Sequence, residues 1–190
     1  SSQQDIIPLS EVEIGKNYAV LITTNAGLWR YKIGDTVRFT SINPYRIKVS
    51  GRTKHHINVF GEELIIENAE DALKNVCKKT KAEIVDFTGA PIFMKGREKG
   101  AHEWLIEFKK PPKDINLFNE LFDNALKSLN SDYEAKRYNN LTLNKPTIHI
   151  ARTQLFYDWL KLHDKLGGQH KIPRLSNTRD YIDELLKLNK

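Results

Sequence analysis

The side chains able to do chemistry gather in three short stretches. The first is Trp29-Arg30-Tyr31-Lys32-Ile33-Gly34-Asp35, in which a strand ends in a glycine and an aspartate before the next strand begins. Both oxygens of a carboxylate in such a turn can accept hydrogen bonds from the two vicinal hydroxyls of a ribose, which suits Asp35 to nucleoside binding. The second, Gly51-Arg52-Thr53-Lys54-His55-His56-Ile57-Asn58-Val59-Phe60-Gly61-Glu62-Glu63, offers an always-charged guanidinium at Arg52 and a lysine, Lys54, at a candidate hinge. The third runs from Gly167 to Arg174 and carries His170, Lys171 and Arg174, where the compact charge of Lys171 could neutralise a developing phosphate charge. Each has a plainer counterpart: an ordinary Gly-Asp turn, a β-turn before an amphipathic helix, and a linker.

The elements that must position these residues follow from the spacing of apolar side chains. NYAVLITT (17–24) reads as a strand, Asn25-Ala26-Gly27 as a turn into LWRY, and DTVRFTSI and YRIKVS as a second hairpin about Asn43-Pro44. From 65 to 79 the period changes to a helical one through Ile65, Ala69, Ala72, Leu73 and Val76. Two strands, AEIVDFTGAPIFM and HEWLIEF, flank Lys95–Gly100, and a helix with a broad apolar stripe spans about 114–130. The strand TIHIA and two closing helices, one with Leu155, Phe156, Trp159 and Leu160 and one with Tyr181, Ile182, Leu185 and Leu186, complete the chain. The order predicts an α+β fold: an N-terminal β-hairpin unit, then a small mixed sheet flanked by helices. The expected division is a β-rich part over 1–52, a hinge over 53–61 and an α+β part over 62–190.

Composition sets the outer limits. The 190 residues include 39% hydrophobic and 28% charged side chains, the profile of a folded globular chain. Thirty Lys and Arg against 24 Asp and Glu leave a net charge of +6, but the surplus is scattered, as on a mixed solvated surface. The lone Cys77 excludes an internal disulfide and sits among the apolar positions of its helix, so it reads as a small core residue. With no signal peptide or membrane-length apolar run, a cytoplasmic location is the default expectation. The start Ser1-Ser2-Gln3-Gln4 reads as the edge of a piece of something longer.

Taken in order, GLWRYKIGDTV, GRTKHHINVFGEE and QHKIPR resemble three motifs of adenylate-forming enzymes, specifically the plant auxin-responsive acyl acid-amido synthetase family and its bacterial relatives. The resemblance covers nearly all of the chain but only the last third or so of a family member. It implies a two-step reaction: a carboxylic acid and ATP give an acyl-adenylate and pyrophosphate, and an amino acid amine then attacks to form an amide, with Mg2+ in attendance. By position it implies that Asp35 holds the ribose, Tyr31 and Gly34 shape the nucleotide (ATP/AMP) pocket, and Arg52 supports the ribose side. Lys171 becomes the lysine that a mobile C-terminal lid delivers to the reacting carboxylate and α-phosphate, with Lys54 as the pivot. The acyl pocket and the phosphate loop of the family lie upstream of residue 1, so this piece is expected to need its N-terminal domain as partner and to be inactive alone. After the hinge the chain departs from the plant pattern, which has Asp-Lys-Thr where this sequence reads Phe60-Gly61-Glu62-Glu63.

Other classes compete less well. The helix-strand-strand-helix-strand order on a basic chain is shared by sheet-based RNA binders, but neither TIHIA nor HEWLIEF carries the stacking aromatics such sheets use. A family member that has lost catalysis and serves as a binding protein stays open. His55-His56, His102, His149, His163 and His170 lack metal-ligand spacing, and there is no Gly-x-Ser-x-Gly elbow.

Overall fold

The computed structural model describes residues 6–52, 56–96, 98–138, 142–167 and 171–190. The chain divides into two compact units, Ser1–Thr53 and Lys54–Lys190. The first is an antiparallel three-stranded sheet, β1 (Asn17–Ile22), β2 (Tyr31–Ile42) and β3 (Tyr45–Arg52), in the order β1-β2-β3. Both expected hairpins form. Val37 and Phe39 are its buried apolar residues among those described, with Tyr18 and Tyr45 set edge-on to the Phe39 ring. One expectation is corrected: Gly34-Asp35 is no turn between strands but lies inside β2, which runs unbroken for 12 residues. Gly34 passes through at φ +88°, a value costly for any other residue, and a register shift follows between Thr36 and Val37. The irregularity next to Asp35 is thus a change of register inside a continuing strand and not a turn.

The second unit begins with a two-residue ladder, β4 (His56–Ile57) against β5 (Leu64–Ile65), which leads into α1 (Ile66–Thr80). Its central sheet has the order β6-β7-β8, from Glu83–Ile92, Ala101–Lys110 and Thr147–Ala151. β6 and β7 are antiparallel, whereas β8 lies parallel to β7 and so needs the long crossover through α2 (Ile115–Leu129) and α3 (Ser131–Arg137). β7 is buried along eight consecutive residues because both faces of the sheet are covered. Trp104, Ile106 and Phe108 point into the core shared with α1 and α2, while the alternating Leu105 joins the core built by α4 (Leu155–Leu162) and α5 (Asp180–Leu188). The sheet is thus the middle of three layers. Asp114 caps α2 by accepting from the N–H groups of Asn116 and Leu117 at 2.8 and 3.1 Å. Cys77 is half-buried against the first core, where burial pushes its thiol pKa up, as befits a packing residue and not a nucleophile.

Candidate functional site

In the first unit the pairing of β2 with β3 sets Asp35 directly opposite Arg52, so two of the residues expected to handle a nucleotide are cross-strand neighbours. Asp35 and Gly34 are half-buried, and Tyr31 opens β2 with 53% of its surface exposed. Next to Asp35, the Thr36 hydroxyl lies 3.2 Å from that of the buried Ser50, which donates its proton to the Asn17 side-chain carbonyl. These contacts tie all three strands together beside the change of register. Lys54, the expected pivot, lies outside the described residues, as does His170.

In the second unit Lys171 is exposed, yet the segment that follows it is firmly held. Ile172 is buried in the core of α4 and α5, and Leu175, three residues on, is fully buried in the core of α1 and α2. Between them the Thr88 hydroxyl donates to the Pro173 carbonyl at 2.7 Å, the Gly89 N–H to the Arg174 carbonyl at 2.8 Å, and the Ser176 N–H returns to the Gly89 carbonyl at 3.0 Å. The supposed linker is a strap hydrogen-bonded to the free edge of β6. Gly89 is required there, since a Cβ would come within 2.9 Å of the buried Trp104 ring. Arg174, read from sequence as part of an anion-seeking trio, is committed elsewhere: it pairs with Glu70 on α1, lies 3.5 Å from Asp86 on β6 and stacks its guanidinium over Phe87.

Sequence reasoning missed a buried carboxylate–imidazole hydrogen bond just beyond the candidate hinge. Glu62 and His102 are fully buried and meet at 2.8 Å, and the second Glu62 oxygen accepts from the Phe60 N–H at 2.7 Å. Burial by itself would raise the Glu62 pKa, but the bonds from His102 and Phe60 outweigh it and hold the carboxyl below its ordinary value. An ionised carboxylate only accepts, so His102 donates through Nε2, between the rings of Phe60 and Tyr133. The Glu62 position coincides with the departure from the plant motif, and nothing in the sequence separates it from its neighbour Glu63. Among the described residues no group of three or more His, Cys, Asp and Glu side chains could hold a metal ion. No described helix is long and apolar enough to cross a membrane.

The β-hairpin unit and the three-layer α+β unit each match one domain of a single protein family. The chain belongs to the GH3 family: residues 67–180 match the GH3 family C-terminal domain and residues 1–52 the GH3 family central domain. Among curated relatives it is 28% identical over 183 residues to the jasmonoyl–L-amino acid synthetase GH3.5 of Oryza sativa subsp. japonica, covering 92% of this chain and 31% of that one. It is 35% identical over 95 residues to the indole-3-acetic acid-amido synthetase GH3.10 of Arabidopsis thaliana, covering 43% and 15%. Among solved structures, a GH3.15 acyl acid amido synthetase superposes with a TM-score of 0.74 at 21% identity, over 97% of this chain and 36% of that one, which shows a shared fold. The chain therefore spans at most about a third of the length of these relatives.

Proposed function

We propose that this chain is the C-terminal part of an ATP-dependent acyl acid-amido synthetase, which adenylates a carboxylic acid and passes the acyl group to the amine of an amino acid. Support comes from the family membership of both units and from the amido synthetase names borne by the relatives. The observation that carries the mechanism is Lys171, an exposed ammonium at the head of a segment fixed to the sheet. A lysine so held can meet the carboxylate and α-phosphate as charge builds on them, and a preorganised cation is worth most at that moment. In this reading Asp35 accepts the ribose hydroxyls, with Arg52 opposite it supporting the ribose side, and Tyr31 and Gly34 shape the nucleotide pocket.

A hinge at Lys54 brings the lid in for adenylation and withdraws it for acyl transfer. The division of the chain at Thr53/Lys54 supports that pivot. The N-terminal part supplies the acyl pocket, and Mg2+ accompanies the ATP phosphates without a ligand set among the described residues. The reaction is assigned to the cytoplasm, in keeping with a single, half-buried cysteine.

The test is acid-dependent pyrophosphate release by the full-length protein with ATP, Mg2+ and a panel of aryl and alkyl acids. Lys171→Ala should lower the rate by about a hundredfold or more, the cost of losing one preorganised charge-stabilising group. Turnover undiminished in that variant would remove the lysine from the chemistry. Nucleotide binding without turnover on any acid would instead identify a silent binding protein.

A further inference from the structure

The strap behind Lys171 continues to the other end of the unit. Two residues past Leu175, the Asn177 side-chain carbonyl accepts from the Asn58 N–H at 2.8 Å, and its amide nitrogen lies 3.4 Å from His56 Nε2. Asn58 and His56 belong to β4 and the residue after it, which lie within the 53–61 segment read as the hinge and are among the first residues described after Lys54. At the lysine end, Pro173 has no N–H and cannot extend the backbone pairing with β6 toward Lys171. The Thr88 hydroxyl takes over there by donating to the Pro173 carbonyl. Thr88 is 1% exposed, between Phe87 and Gly89 on β6, where a valine would fill the same space. Its hydroxyl thus has one visible use, to fasten the chain two residues from Lys171.

We propose that Thr88 and Asn177 are positioning residues for Lys171: they clamp residues 173–177 between the edge of β6 and β4, so that the lysine moves with the hinge-proximal strand as one piece. The proposal rests on the reading of Lys171 as the reacting lysine. A misplacement of about 1 Å can cost a hundredfold in rate, so loosening either clamp should reach the chemistry without touching substrate. In the full-length protein, Thr88→Val should lower kcat for pyrophosphate release by about tenfold or more and leave the KM for ATP within about twofold. Thr88→Ser, which keeps the hydroxyl, should restore it.

Because the clamp acts through the lysine, Thr88→Val combined with Lys171→Ala should be no slower than Lys171→Ala alone. Full activity in Thr88→Val, or losses that multiply in the double variant, would overturn the proposal. Should Thr88→Val fold poorly, the half-buried Asn177 decides: Asn177→Ala should lose activity and Asn177→Asp, which keeps the acceptor for Asn58, should regain it. Equal loss in both would overturn the Asn177 clamp. Lys171→Ala without effect would overturn the lysine reading and the clamp with it, whereas an inactive Lys171→Ala beside a fully active Thr88→Val would overturn the clamp alone.

Discussion

Asp123 shows what a buried charge costs and returns. It is 3% exposed on α2 and accepts from Arg137 Nε and Nη2 at 2.8 and 2.6 Å and from the Tyr133 hydroxyl at 2.8 Å. Burial would raise its pKa, but the bonds from Arg137, Lys127 and Tyr133 prevail and hold it below the ordinary value. Asp123→Ala strands the Arg137 guanidinium without that carboxylate and should destabilise the second unit by about 3–5 kcal/mol in urea titrations. Glu62 and Asp123 are both depressed in the fold, so the stability they add is complete above the unfolded carboxylate range, about pH 4, and is lost as pH falls through their lower folded values. Unfolding free energy should therefore drop below about pH 5, and Glu62→Gln should flatten that slope. Neither role was legible in the sequence, because Glu62 and Asp123 look like any acid until the fold shows what surrounds them. Asp35 and Arg52 were legible as a pair of types, and the β2–β3 register supplied the reason they stand opposite each other.

Among the elements, those with strong periodicity were readable almost to the residue. TIHIA, bounded by Pro146, is β8 as expected, and α2 begins one residue after its capping Asp114. Replacing that cap, Asp114→Ala, should cost about 1 kcal/mol. In a thermal melt of a unit this size that amounts to a shift of about 2–4 °C. α3 escaped the reading because its seven residues bury only Tyr133 and Arg137, too few for a helical stripe. The β4–β5 ladder is two residues long and leaves no alternation to detect. The glycines and proline of the Lys171 segment signal irregular backbone and leave a linker as its plainer reading, because the hydrogen bonds that hold it go to a strand 85 residues away. Gly89→Ala should test how tightly strap and sheet are matched: the new methyl meets Trp104, and the unit should lose about 1–3 kcal/mol by calorimetry.

At the scale of the molecule, the two units differ in what they can sustain. Residues 54–190 hold two apolar cores on either side of a sheet, enough for a cooperative fold, whereas the described part of residues 1–53 buries only two apolar residues, Val37 and Phe39. Expressed separately, 54–190 should show a single sharp unfolding transition, and 1–53 should give the collapsed amide dispersion of an unfolded peptide in NMR spectra. The three tryptophans record this contrast. Trp104 is fully buried, Trp159 is 4% exposed with His163 stacked on it, and Trp29, alone in the first unit, is 79% exposed. Iodide will therefore quench the red-edge emission of Trp29 and leave the other two dark to it. The chain thus carries a built-in optical probe that reports on the surroundings of its first unit separately from the melting of its second.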